Sequence, residues 1–435
     1  MPTSSGIKNS LLLIIEKCIL LFLSFFNSVL LARYAGPETF GQFSYILSVA
    51  GLFLPLSIMG LNNVVTKYIS KNPTNAHYYL KSALIVRFFG AGLSIILAIF
   101  LVLFLDGDNS TNILMLIVLQ SFTVFYVVEF YFLGREQVGI LLKVRLFLLL
   151  ILNAFKCAAI LNSAPLSLLI LLQGLEYALI GLSYVLIYLL GKHHHFIKRP
   201  TSKLSYIALA QKGKWLLFSG IAATIYLKID QIMLANLVDT QSVAYYAAAA
   251  KLSEVWYVFP VLIANAFTAQ LSKYRFNSYP KYLKLLKNLI TILVLCALIL
   301  SISTYFIAPT LIKLIYGSDY QSSAQILSIH IFASVFIFQR AILSKWLIIE
   351  KLYKYSLVSS LSGAIVNIAL NALLIPHYAG VGAAWATVIS YMVASYGFLF
   401  FQPKTRDYTL ILHQSMLNSP LIIKSLINQL LANKK

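Results

Sequence analysis

The chain has 435 residues, 60% of them hydrophobic and only 11% charged. A soluble protein so composed would lack the polar surface to cover its core, so a soluble enzyme is excluded and a polytopic membrane protein is specified. Lys and Arg number 34 against 13 Asp and Glu, a formal charge of +21. No soluble basic domain gathers these cations, which argues against a nucleic-acid partner.

Apolar runs about long enough to cross a bilayer predict twelve spans, near 10–33, 40–62, 81–105, 112–133, 145–162, 166–190, 215–237, 243–270, 288–312, 323–349, 355–375 and 381–401. The first, from about Ser10 to Leu31, is longer than a signal-peptide core and carries Glu16 and Lys17 without a small-x-small cleavage site. It is expected to remain as a span. With the N-terminus in the cytoplasm, the inner connections hold Lys67, Lys71 and Lys81, then Arg135, Lys143 and Arg145, then Lys192, Lys198, Arg199, Lys203, Lys212 and Lys214. Lys273, Arg275, Lys281, Lys284 and Lys287 follow, then Lys351 and Lys354, then the basic tail. On the outer side only Arg33 and Lys313 appear, near span ends. That asymmetry obeys the positive-inside rule and places both termini in the cytoplasm. The excess charge then reports topology and anionic headgroups.

The longest inner connection, 191–214, separates an N-lobe (1–190, spans 1–6) from a C-lobe (215–401, spans 7–12). Two six-span halves enter the membrane in the same sense, the arrangement of parallel-repeat transporters. Leu31-Ala-Arg-Tyr-Ala-Gly36-Pro between spans 1 and 2 is echoed by Leu234-Ala-Asn-Leu-Val-Asp239-Thr between spans 7 and 8, and by Ile375-Pro-His-Tyr-Ala-Gly380 before span 12. In the tail, 402–435, Leu412, Met416, Ile423, Ile427 and Leu430 fall at nearly helical spacing. They predict an interfacial amphipathic helix. A thirteenth span is disfavoured by Asn418, Lys424 and Asn428.

Charges inside the spans are the candidate functional residues, because each costs about 2.5–3.5 kcal/mol at a helix centre unless it meets a partner or water. Lys251 and Glu254, i and i+3 near the middle of span 8, share a face and read either as cavity-lining groups or as a mutually neutralising pair. Glu176 in span 6 reads as a proton-titratable coupling group or as a hydrogen-bonded tie to a neighbour through Gln173. Lys228 and Asp230 in span 7 point to different faces, and Lys228 is the one expected to meet the cavity. Arg340 in span 10 offers a guanidinium suited to a diphosphate. Glu16, Lys17, Arg87, Glu129, Lys156 and Lys345 lie nearer span ends, where snorkelling to the headgroups is expected; Lys17 and Arg87 also sit where an anionic headgroup is first met. Asp106-Gly-Asp108 reads as a solvated turn, and His193-His-His195 lies in a basic loop without a nearby carboxylate. Cys18, Cys157 and Cys296 are far apart in apolar runs, so neither disulfides nor a zinc site are expected. The chain shows no phosphate-cradling loop, no zinc motif and no catalytic constellation, so it is not expected to be an enzyme.

The hairpin Gly36-Pro37-Glu38-Thr39-Phe40-Gly41-Gln42-Phe43-Ser44-Tyr45 resembles the Wzx-type polysaccharide flippases of the multidrug/oligosaccharidyl-lipid/polysaccharide (MOP) exporter superfamily. So do Leu54-Pro-Leu-Ser-Ile-Met-Gly60-Leu-Asn, Lys228-Ile-Asp230-Gln-Ile-Met-Leu and Ile375-Pro-His-Tyr-Ala-Gly380-Val-Gly382-Ala-Ala. The resemblance implies an all-α, MATE-like fold of two six-helix lobes in a bacterial inner membrane. It further implies a flippase of undecaprenyl-diphosphate-linked O-antigen or capsule repeat units, working with a polysaccharide polymerase and chain-length machinery. Lys17, Arg87, Lys228, Lys251 and Arg340 would then balance the diphosphate. Glu176, Asp230 and Glu254 would set local charge or couple to a proton or sodium gradient, with no bound cofactor. A MATE-like multidrug or cation antiporter is the competing reading and calls for a net acidic cavity, whereas the deep charges here are mixed.

Overall fold

The computed structural model describes residues 4–104, 109–135, 137–191 and 203–422. The Asp106-Gly-Asp108 turn, the His193-His-His195 run and the tail beyond Ile422 lie outside the described residues. All regular elements among those described are helical, as lipid requires of a chain that must satisfy its backbone groups within each segment.

The first helices are α1 (Ser4–Ile58), α2 (Asn62–Lys71) and α3 (Ala76–Phe104). A 3₁₀ turn at Phe122–Tyr126 joins α4 (Ser110–Ser121) to α5 (Val127–Gly134), and α6 (Gly139–Leu161), α7 (Leu166–Leu190) and α8 (Lys203–Leu237) follow. Another 3₁₀ turn, Val255–Tyr257, joins α9 (Thr240–Glu254) to α10 (Val258–Asn277). Then come α11 (Tyr279–Ile315), α12 (Ser322–His330) and α13 (Ala333–Ile349). Helix α14 (Tyr353–Met392) runs through a π-helical segment, Val393–Gly397, into α15 (Phe398–Phe401), and α16 (Arg406–Leu417) comes last.

Among the described residues, ten helical segments are long and apolar enough to cross a membrane. Two of them, Ile15–Ile58 and Lys354–Phe401, contain a residue outside helical geometry. An unbroken helix of the length of α1 would extend about 80 Å, far more than the roughly 30 Å of a hydrocarbon core. Gly36 breaks it (φ 77, ψ 174), with Pro37 immediately after. A positive φ is cheap only for glycine, so the hairpin falls where the sequence places it. In α14 the break is at Ala379 (φ 43, ψ −127), one residue before the glycine that marks the expected turn. Gly380 serves packing instead: a Cβ there would stand 2.5 Å from Ile326 Cδ1.

The chain forms two compact units, Met1–Ile232 and Met233–Lys435, so α8 belongs to the first unit as far as Ile232. The first has a core built around Leu61, Ile69, Tyr131 and Tyr184; the second is centred on Leu286, Ile290, Trp346 and Tyr408. Large apolar side chains such as Phe22, Leu103, Phe306 and Leu314 are exposed, as lipid-facing residues should be.

Within the first unit the start of α8 meets the turn after α1 at a pair of glycines. A Cβ on Gly60 would lie 2.6 Å from Gly213 O and 2.6 Å from Leu217 N, and one on Gly213 would lie 2.7 Å from Met59 O. Lys212 adds a contact to the Tyr68 hydroxyl and stands over its ring. Gly60 also has φ +62. Gly60→Ala is therefore expected to cost about 2 kcal/mol or more, read as a lowered melting temperature of the purified protein.

The segment expected to lie as an interfacial helix turns its apolar face to protein over α16. Tyr408, Ile411, Leu412 and Ser415 are buried. The Tyr408 ring packs 5.3 Å from that of Trp346, and its hydroxyl donates to Gln339 O at 3.3 Å. Thr291 Oγ1 donates to Ser415 O at 3.1 Å.

Candidate functional site

In the first unit, a polar stripe runs along one face of α6. Arg145 donates to Glu16 of α1 and, at 3.2 Å, to Glu129 of α5. Two turns further, Asn153 meets Asn27 of α1, which also accepts from Cys157 Sγ at 3.2 Å. Lys156 then pairs with Glu176 of α7 and donates to Gln173 Oε1 at 2.9 Å. At about 100° per residue, positions 145, 153, 156 and 157 fall within an arc of about 120°, which places them on one side of the helix.

These contacts correct the snorkelling expectation for Glu16, Arg87, Glu129 and Lys156. Glu16 and Arg87 are 1% exposed and Lys156 is 6% exposed; Glu129 is half-buried. Glu16, Glu129 and Lys156 each meet an opposite charge on a neighbouring helix, whereas Arg87 is held among helices by a carbonyl and an aromatic ring. Of the two readings of Glu176, the geometry provides the tie to a neighbour, with Lys156 as the unforeseen partner.

Arg87 Nε donates to Ser57 O at 3.1 Å and its guanidinium carbon lies 5.7 Å from the Phe130 ring centre. Its Nη1 is buried and has no hydrogen-bond partner among the described residues. Asp230 is buried, whereas Lys228 is half-exposed in the same helix. The adjoining Gln231 accepts from Ser48 Oγ at 2.6 Å, and the Lys228 stem lies against Gly51, 3.8 Å from where a Cβ would be. Neither Lys228 nor the exposed Lys17 makes an ion pair among the described residues.

In the second unit, Lys251 and Glu254 are half-buried on the last turn of α9, directly before the Val255–Tyr257 turn. Arg340 Nη2 donates to Ser360 Oγ at 2.7 Å and Nη1 to Ala394 O at 3.3 Å. Gln339 Nε2 donates to Ser395 O at 3.0 Å. Together the two side chains cap carbonyls of the π segment, where the widened turn disturbs the ordinary helical ladder. Arg340 thus has a structural task beside any headgroup role. At the C-terminal ends of α10 and α13, Arg275 donates to Glu350 from two nitrogens at 2.8 and 3.0 Å, and Tyr282 Oη donates to it at 3.1 Å. Sequence reasoning passed over His330, which is buried at the end of α12 with its Nδ1 2.6 Å from Ser253 Oγ. A solitary histidine inside an apolar span was the available signal.

A family model described as "Polysaccharide biosynthesis protein" matches residues 7–269, more than half of the chain. The chain belongs to the polysaccharide biosynthesis protein family. A second model, MatE, matches residues 216–373. The capsular polysaccharide biosynthesis protein CapF of Staphylococcus aureus is 24% identical over 391 residues, covering 86% of this chain and 93% of CapF. Among solved structures, the lipid II flippase MurJ in an inward closed conformation superposes with a TM-score of 0.66 at 15% identity, over 96% of this chain and 93% of that one. An inward-facing multidrug resistance MATE transporter of the MOP superfamily gives 0.62 at 14%, over 93% and 96%. At such identities the structures establish the fold. This member of the polysaccharide biosynthesis protein family thus has an all-α, multi-pass fold like those of MurJ and the MATE transporter, with ten membrane-spanning helical segments among the described residues.

Proposed function

We propose that this family member is a flippase carrying undecaprenyl-diphosphate-linked repeat units, of O-antigen or capsule, from the inner to the outer leaflet of a bacterial cytoplasmic membrane by alternating access. In this reading the chain crosses twelve times with both termini cytoplasmic, acts on membrane lipid without catalysing bond cleavage, and hands its cargo to a polysaccharide polymerase.

One observation carries the reading. The carboxylates Glu16, Glu129 and Glu176 are each engaged by a cation, and Asp230 and Glu254 have interactions of their own. Lys17, Lys228 and Lys345 have no ion pair among the described residues, and Arg87 has a spare buried donor. The charge left over in the spans is positive, which suits a diphosphate and not a cation. Lys17, Arg87 and Lys228, all in the first unit, are the headgroup ligands in this reading. Glu176, Asp230 and Glu254 set the local charge. Relatives named for polysaccharide and capsule biosynthesis add support.

Deleting the gene in its own host is expected to remove surface glycan while lipid-linked oligosaccharide accumulates in the inner leaflet, with the wild-type gene reversing both effects. Unchanged glycan with altered drug or cation tolerance would instead favour the antiporter reading, to which the MatE match over 216–373 lends weight.

A further inference from the structure

Two spans of the second unit are broken, and a side-chain hydrogen bond joins them at the breaks. Helix α9 gives way to the Val255–Tyr257 turn one residue after Ser253. Helix α12 ends at His330, and over the next residues the backbone bonds tighten to a three-residue spacing: Phe332 N to Ile329 O at 3.1 Å, Ser334 N to Ile331 O at 3.0 Å and Val335 N to Phe332 O at 3.2 Å. Ser301 Oγ of α11 lies 3.1 Å from Ile331 O and 2.8 Å from Ala297 O. His330 Nδ1 and Ser253 Oγ lie 2.6 Å apart. The Tyr246 ring stands edge-on to the imidazole at 5.6 Å, and its hydroxyl is 3.1 Å from Thr387 Oγ1 of α14.

The local hydrogen bonds fix which ring nitrogen carries the proton. Ser253 Oγ also lies 2.9 Å from Ala250 O. A hydroxyl has one proton and a carbonyl only accepts. Both contacts are made when Ser253 donates to Ala250 O and the imidazole Nδ1–H donates to Ser253 Oγ. The neutral ring then carries its lone pair on Nε2, which can take a proton without disturbing the bond that joins the two spans.

We infer that His330, held by Ser253 and Tyr246, is the proton-binding group through which this transporter draws on a proton gradient. The inference rests on the transport reading above and assigns its coupling ion. The titratable groups on the elements around α12 are few. Helix α9 and the turn after it carry Tyr245, Tyr246, Lys251, Glu254 and Tyr257; α14 carries Tyr391 beside Thr387 and no charged residue after His377. Helix α11 presents Ser301 and has no charged residue between Lys287 and Lys313, and on α13 the first charge is Arg340. Asp319 lies in the 3₁₀ turn Ser318–Tyr320, ahead of α12. Glu254 is thus the one carboxylate on α9, α11, α13 and α14.

A proton from one aqueous phase bonds to Nε2 and makes an imidazolium. Burying that charge costs several kcal/mol, a cost relieved when the breaks reorganise and admit water from the other side. There the Nε2–H bond breaks and the proton leaves to water. Short 3₁₀ stretches mark hinges in helices, and discontinuous helices within the membrane are where ion-coupled transporters hold their ions.

The test uses the full-length protein in phosphatidylethanolamine/phosphatidylglycerol liposomes on a solid-supported membrane, with no glycan present. A pH jump from 8 to 5.5 is expected to give a transient current in the wild type. His330→Asn should reduce it at least tenfold, because the asparagine amide replaces the Nδ1–H donor but does not titrate; Ser253→Ala, which keeps the imidazole, should retain it. Should the asparagine variant fail to fold, His330→Gln takes its place. A wild type with no current, or a His330→Asn current equal to that of the wild type, overturns the assignment. Restoration of surface glycan by the wild-type gene tests the flippase reading separately, so a His330-dependent current without glycan rescue removes that reading and leaves the proton site standing.

Discussion

Arg145→Ala is expected to leave most of the protein unfolded or aggregated in mild detergent. One guanidinium serves two carboxylates, Glu16 and Glu129, and Glu16 is 1% exposed with its second oxygen already without a partner among the described residues. Removing one member of a buried ionic group costs about 3–5 kcal/mol, since it strands the remaining charge, whereas replacing all members by uncharged residues of similar volume is often neutral. Arg145→Met combined with Glu16→Gln and Glu129→Gln should therefore recover the wild-type melting temperature. Fluorescence-detected size exclusion after graded heating measures both. An Arg145→Ala protein as heat-stable as the wild type would mean that the junction contributes little.

Lys228→Glu is expected to abolish surface glycan while the protein inserts and folds normally. The side chain is half-exposed, has no ion pair among the described residues and rests against a glycine, so little in the fold depends on its charge. A hydrogen bond to a charged group contributes about 1.5–3 kcal/mol, so its loss alone predicts roughly a 10- to 100-fold fall in transport, and reversal adds repulsion of a diphosphate. Lys228→Gln should fall between the two. Glycan staining of the complemented deletion strain, alongside membrane quantification of each variant, gives the comparison; full glycan from Lys228→Glu would remove this residue from the headgroup site.

Spans were legible because hydropathy is a local property: each apolar run can be measured without knowing its neighbours. The Gly36-Pro37 hairpin was legible for the same reason. Ala379 was not, because a non-glycine residue with φ 43 is imposed by its surroundings, and the glycine beside it was needed for contact with Ile326. Pairing was hidden altogether. Arg145 reads as a cytoplasmic loop residue and Glu16 as a snorkelling one until α1, α5 and α6 are placed side by side. Separations of 129 residues for Arg145 and Glu16 and 77 for Ser253 and His330 carry no periodic signal. The separation of Lys228 from Asp230 onto different faces did follow from helical spacing, since it needs only one helix.

The polar stripe of α6 bears on how the chain enters the membrane during synthesis. Alone, a helix carrying Arg145, Asn153 and Lys156 is a poor candidate for partition into lipid. The partners of Arg145 and Asn153 are made before it, in Glu16, Asn27 and Glu129, while those of Lys156, Gln173 and Glu176, emerge only 17 and 20 residues later. Helix α6 must therefore wait beside α1 for α7 to follow, and the two are released into the bilayer together as a hairpin rather than one at a time.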